Sequence, residues 1–261
     1  MKKIFLMLLL ISLLIGVSAC DQIMQTSDQT LFEEHLVANQ TLYEERMAYM
    51  NHLSNEVVFS VVKVVKNGTR VSGSNIGSGV IYKKTDTHYY VLTNEHVIDD
   101  PFMNRVTYEI YDYQGRSHQA ALIAHDAAYD LAVLRFEIKS FELRVALFAD
   151  NDPIQSDFLA VLGHPEGMFN ALSLGSAIDY DFIEIDTERD VAIAFDTLVT
   201  NVPVQSGSSG SPVFSRDFEI VGLVYAASVR ESTNISRYTY VVQVSKIKEF
   251  LEANASKGVN L

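Results

Sequence analysis

An all-β fold with a helix at each end is the class this sequence predicts, and three observations predict it. Between Val57 and Val244 the chain is a series of short runs rich in Val, Ile, Tyr, Phe and Thr, among them 57–65, 79–82, 89–93, 106–113, 131–136, 158–162, 192–195, 219–226 and 238–242. Gly, Asn, Asp and Ser stand between these runs, and short strand candidates separated by turn residues mark a barrel or sandwich. Apolar residues at helical spacing occur only outside this body. No internal repeat or low-complexity stretch interrupts it.

The chain begins with Lys2 and Lys3, continues through an apolar run from Ile4 to Ile11, and reaches the small residues Gly16, Val17, Ser18 and Ala19 before Cys20. A basic start, an apolar middle and a small-residue end describe an export signal, so residues 1–19 are set aside from the fold. The stretch 17–20 resembles the bacterial lipobox, in which the cysteine thiol is acylated with diacylglycerol before the signal is cut. Cys20 is the only cysteine, so no internal disulfide is open to it. A chain carrying two or more acyl groups is held stably at a membrane, whereas one acyl group is marginal. Ordinary signal cleavage, leaving a free thiol, is the alternative.

Residues 20–55 carry Phe32, Leu36, Tyr43, Met47 and Met50 close to a helical period, and Thr30 and Glu33 have capping-box spacing. A helix from Leu31 to His52 is expected, either packed on the body or serving as a spacer and oligomerisation arm, since a helix of this length needs to bury its apolar stripe. A second helix is expected over 245–251, where Ile247, Phe250 and Leu251 share a face ahead of Gly258. The body and this helix form one domain, 56–261.

The formal charge is -13, and removing Lys2 and Lys3 with the signal takes it to -15. Nucleic acid is excluded as a partner, because phosphate binding needs a basic face. Part of the acid is local, at Asp179, Asp181, Glu184, Asp186, Glu188 and Asp190. This reads as a solvated loop, and its spacing lacks the glycine-centred pattern of a calcium site.

Three short segments carry chemistry: 93–97 with His96, 130–134 with Asp130, and 207–212 with Ser209 between Gly207 and Gly210. Taken singly, each has a plain structural explanation, as a core histidine, a strand-edge aspartate or a flexible loop. Together they supply His, Asp and Ser in the order of one known nucleophilic triad, each where a strand meets a loop. A serine hydroxyl is a poor nucleophile until a neutral imidazole takes its proton, which would be the task of His96. The imidazole in turn needs a buried carboxylate, Asp130, to fix its tautomer and stabilise the imidazolium. Glycines beside Ser209 allow a tight turn whose Gly207 and Ser209 N–H groups point at the oxygen that becomes negative. This chemistry calls for no cofactor and no metal.

Over about 57–248 the chain resembles the trypsin-like superfamily, and within it the HtrA/Deg branch. The resemblance is carried by Gly77-Ser78-Gly79-Val80, the segments 92–97 and 129–134, Gly163-His164-Pro165-Glu166-Gly167, 200–212 and Val221-Gly222-Leu223. It implies a double β-barrel of the trypsin-like type, His96 and Asp130 on the first barrel, and Ser209 with the oxyanion groups on the second. Only a short helix is expected after Val244, without the PDZ domain usual in that branch. Around the nucleophile, Gly-x-Ser-Gly-Ser-Pro-Val-Phe is similar to the secreted glutamyl endopeptidases. Their pocket histidine is replaced here by Val224, so glutamate specificity is not expected. Digestive members carry an aspartate before the serine as an activation switch, and Ser208 cannot serve as one. The substrate pocket is expected from Tyr225, Ala226, Ala227 and Ser228 with Pro203 and Val204, favouring a small or medium apolar residue before the cut bond. The expected function is an exported lipoprotein endopeptidase acting on protein or peptide substrates outside the cytoplasmic membrane. An inactive binding module and a narrow processing protease are the alternatives.

Overall fold

The computed structural model describes residues 34, 36–68, 75–99, 106–139, 142–182, 193–229 and 236–261. The export signal, Cys20, Thr30, Glu33 and the acidic stretch 183–190 lie outside them. The chain divides into two units, Met1–Asn51 and His52–Leu261. In the first, residues 36–51 are helical, and Leu36, Tyr43, Met47 and Met50 are exposed.

The second unit holds two closed six-stranded antiparallel barrels. Strands β1 (Val61–Asn67), β2 (Asn75–Lys84), β3 (His88–Thr93), β4 (Thr107–Tyr111), β5 (Ser117–Asp126) and β6 (Leu131–Glu137) form the first, in the order β1-β2-β3-β6-β5-β4. It closes where Val64 pairs with Ile110. Strands β7 (Phe158–Gly163), β8 (Ala171–Asp181), β9 (Thr197–Thr200), β10 (Pro212–Phe214), β11 (Ile220–Val229) and β12 (Ser236–Gln243) form the second, in the order β10-β11-β12-β9-β8-β7. It closes where Val213 pairs with Val161. Closure gives every strand two neighbours and leaves no sheet edge open to another chain.

Each barrel is filled by inward side chains. Val62, Val64, Ile81, Val91, Leu134 and Phe136 fill the first, and Leu159, Leu198, Val213, Val224 and Val241 the second. The helix Val244–Ala253 buries Val244, Ile247, Phe250 and Leu251, the face its periodicity predicts.

Several boundaries differ from expectation. Residues 57–60 form a 3₁₀ turn before β1, and the run expected at 192–195 is not a strand at 193–195, where the chain instead pairs two residues later as β9. Strands β5 and β8 are poor in strand formers, with Ala, Gln, Ser and Gly between them, and β10 is only three residues with a leading proline. Their pairing follows from the closed sheets on either side, which override a weak local preference.

Candidate active site

His96 and Asp130 are brought together by two chain reversals of the first barrel. After β3, Asn94 is extended and starts a one-turn helix, Glu95–Ile98, that buries Val97 and Ile98 and leaves the His96 side chain 23% exposed. Asp130 ends the turn between β5 and β6 at φ 49°, a left-handed conformation that costs most residues about 1 kcal/mol or more but that aspartate tolerates. Asn94 Nδ2 donates to the Asp130 carbonyl at 3.0 Å, tying the two turns. The Asp130 carboxylate, 1% exposed, accepts twice from His96: Oδ1 from the backbone N–H at 2.9 Å and Oδ2 from Nδ1 at 2.7 Å. A carboxylate only accepts, so Nδ1 carries the hydrogen and Nε2 is left as the basic nitrogen.

Ser209 lies in a turn of the second barrel in which successive peptide groups are held in place. Glu166 N–H donates to Ser206 O at 2.7 Å, Ser208 N–H to Gln205 O at 3.0 Å, Ser211 N–H to Ser208 O at 2.9 Å, and Gly210 N–H to Val224 O at 2.8 Å. Across a trans peptide the C=O and N–H point opposite ways. Holding Ser206 O on the turn 165–167 therefore aims Gly207 N–H away from that turn, and holding Ser208 O aims Ser209 N–H likewise. Neither N–H donates a hydrogen bond among the described residues. Gly207 and Gly210 have φ of 88° and 81°, and a Cβ on Gly210 would lie 2.1 Å from Ser78 O, so neither position admits a side chain.

The barrels meet at Gly77. A Cβ there would be 2.7 Å from the Val97 methyls and 3.1 Å from Ser209 O, which sets the histidine turn and the serine turn side by side. No hydrogen bond joins His96 Nε2 to Ser209 Oγ among the described residues. In unliganded enzymes that bond is often long and tightens with substrate. Glu95, beside His96, is held above the ordinary carboxylate range by burial and then by the Asp99 and Asp130 carboxylates, with His125 opposing. Among the described residues no group of three or more His, Cys, Asp and Glu side chains comes together as a metal site.

The residues expected to form the substrate pocket flank the serine turn on both sides in sequence. Pro203 and Val204 line a cavity of about 230 Å³ with Val161, Gly163, Pro165 and Ser208 among its other walls. Tyr225, Ala226, Ala227 and Ser228 do not line it. Tyr225 is buried, its hydroxyl shares a hydrogen with Thr197 Oγ1 at 3.3 Å, and burial pushes it up to about 12, with Asp130 acting in the same direction. Ser228 Oγ accepts from Tyr238 N–H at 3.1 Å, and Ala226 and Ala227 are half-buried.

Sequence reasoning missed the turn 165–167 as the holder of the Ser206 peptide, and with it His164. That imidazole is fully buried, its Nδ1 donating to Met168 O at 3.1 Å. Burial holds it down at about 4, Met168 O works against the shift, and the Lys63 cation adds to it. Histidine in an unfolded chain titrates near 6.5, so between about pH 6.5 and 4 the unfolded chain takes up a proton the folded one refuses. The stability concerned is complete above pH 6.5 and is lost as pH falls to 4, by about 3 kcal/mol. Urea unfolding at pH 7, 5 and 4 should show this slope in the wild type and a shallower one in His164→Asn. Equal slopes would assign the acid loss to other groups.

The trypsin-like peptidase domain family matches residues 77–223, more than half of the chain, and the chain belongs to that family. Within it, the chain is similar to the HtrA-like serine proteases. It is 25% identical over 214 residues to a "Serine protease HtrA-like" of Staphylococcus epidermidis, covering 80% of this chain and 34% of that protein. It is 25% identical over 225 residues to the Staphylococcus aureus protein of the same name, covering 78% and 28%. The chain thus spans about a third of the length of these relatives. Among solved structures, a protease of M. tuberculosis in its active form superposes with a TM-score of 0.63 at 20% identity, covering 77% of this chain and 85% of that one. A serine endoprotease from Yersinia pestis superposes with a TM-score of 0.61 at 23% identity, covering 80% and 67%. Both likenesses bear out the double-barrel fold.

Proposed function

We propose that this protein is an exported serine endopeptidase that cleaves protein substrates through Ser209, His96 and Asp130. One observation carries the proposal: a carboxylate-held imidazole and a serine turn with two outward N–H groups meet across the two barrels. His96 Nε2 takes the Ser209 hydroxyl proton as Oγ attacks the peptide carbonyl, and Gly207 and Ser209 N–H stabilise the resulting oxyanion. His96 then protonates the leaving amine. Water, deprotonated by the same imidazole, releases the acyl group from Oγ. Exported proteins that have lost their fold are the proposed substrates, in line with the similarity to HtrA-like proteases.

Labelling of the purified protein by a fluorophosphonate, absent in Ser209→Ala, together with a peptide-library digest, tests this activity and reads out the residue preferred before the cut bond. A second reading, a peptide-binding module without turnover, draws on the missing bond between His96 and Ser209. It predicts peptide binding with no labelling.

Attachment to the membrane is proposed to depend on acylation of Cys20, whose thiol no other cysteine can replace. Fractionation of cells expressing the full chain should find the wild type with the membranes and Cys20→Ser soluble or stalled as precursor. Wild-type protein in the soluble fraction, with no lipid mass at its N-terminus, would leave a simple secreted enzyme.

A further inference from the structure

Ser78 touches none of the reacting groups, yet the bonds that shape the nucleophile turn converge on it. It is fully buried in β2 of the first barrel, paired with Lys63 of β1. Its N–H donates to Ser209 O at 2.7 Å and its carbonyl accepts from Thr93 Oγ1 at 2.7 Å. Its hydroxyl donates to Gly207 O at 3.1 Å and accepts from His164 N–H at 3.0 Å. We propose that Ser78 is a positioning residue for catalysis, whose buried hydroxyl locks the Gly207 carbonyl and the 164–167 turn together so that the Gly207 and Ser209 N–H groups stay aimed at one point. The proposal rests on Ser209 being the nucleophile.

Each bond acts on a different peptide of the turn. The Gly207–Ser208 peptide is held by the Ser78 hydroxyl, and the Ser209–Gly210 peptide by the Ser78 amide. The peptide between Ser206 and Gly207 is held by Glu166 N–H, which comes from the turn that Ser78 anchors through His164 N–H. A hydroxyl both donates and accepts, so one oxygen can bridge a carbonyl of one turn and an amide of the other. There is no room for much else: a Cβ on Gly163 would lie 3.0 Å from this oxygen. The barrel wall thus serves as the reference against which the oxyanion donors are set.

Alanine at 78 keeps the amide bond to Ser209 O and removes both hydroxyl bonds. The Gly207 peptide and the 164–167 turn then lose their common anchor, and Gly207 N–H loses its fixed aim relative to Ser209 N–H, whose own peptide stays held by Ser211 N–H. Because those donors act on charge that develops only in the transition state, turnover suffers and substrate binding does not.

The test measures kcat and KM of Ser78→Ala on a peptide taken from the library digest. It also measures affinity for a peptide aldehyde, which forms a tetrahedral adduct, affinity for the cleaved product peptide, and the thermal midpoint. The expected result is a kcat lowered roughly ten- to a hundred-fold with KM within about twofold. Aldehyde affinity should fall in parallel and product affinity should not. Unchanged kcat in the folded variant, or a parallel loss of kcat, KM and product binding, overturns the proposal. If Ser78→Ala does not fold, Ser78→Cys, with a weak S–H donor in nearly the same volume, is judged by the same criteria. Wild type and Ser209→Ala are measured alongside. Equal activity in those two would refute the nucleophile itself, whereas their difference with an unaffected Ser78→Ala refutes only the positioning role.

Discussion

Ser209→Ala is expected to lower peptide hydrolysis about a million-fold, and His96→Ala by a similar factor, because in the proposed mechanism nucleophile and base act as one unit and removing either removes the covalent route. Neither neighbouring serine can substitute. Ser208 is buried against the cavity behind the turn, and Ser211 is fully buried. The double variant should therefore be little slower than either single one, its residual rate coming from the oxyanion donors and substrate binding. Ser209 Oγ makes no hydrogen bond among the described residues, so the alanine variant should unfold at the wild-type temperature and leave the effect purely kinetic. Single-turnover hydrolysis with thermal unfolding on the same preparations checks both statements. A folded Ser209→Ala enzyme within tenfold of wild type would remove Ser209 from the mechanism.

Asp130→Asn is expected to lower kcat on the order of ten-thousand-fold with little change in stability. Both carboxylate oxygens accept from His96, one from its backbone N–H and one from Nδ1. Asparagine has a single acceptor oxygen. If that oxygen faces the backbone N–H, its amino group faces Nδ1, which must give up its hydrogen and send it to Nε2, the atom that should act as base. If the amide is turned the other way, its amino group opposes the backbone N–H. The turn itself should persist, since asparagine also tolerates the left-handed conformation at this position and the Asn94 bond is to the main chain. The measurement is kcat at neutral pH with the unfolding midpoint. An undiminished rate would mean that another carboxylate orients His96.

The all-β class was legible because most of the barrel strands carry Val, Ile, Tyr and Phe in runs that need no tertiary context to read. Strand β8, by contrast, mixes Ala, Ser and Gly, and β10 is three residues beginning with proline. Only their neighbours in a closed sheet make strands of them. Side-chain direction along β11 is another property that the closed sheet sets. Tyr225 to Ser228 and Pro203 to Val204 are adjacent to the nucleophile in topology, but β11 turns the Tyr225 side chain into the interior, towards Thr197.

The three segments holding His96, Asp130 and Ser209 were readable from residue type, chain order and flanking glycines, which are local properties of the chain. So were the conformational needs of Gly207 and Gly210, since a positive φ is a demand a short segment makes by itself. What the linear chain does not contain is how the two barrels register against each other. The Ser78 hydroxyl and the Gly207 carbonyl are 129 residues apart, and the turn 165–167 reaches the Ser206 peptide only after β7 and β8 have closed against β10 and β9. Hydrogen-bond direction at these contacts depends on the orientation of whole peptide planes, which follows from barrel closure and from side chains such as Val97 packing against Gly77. The sequence therefore offered the candidate reacting groups, and the tertiary structure alone decided how the Gly207 and Ser209 peptides are held.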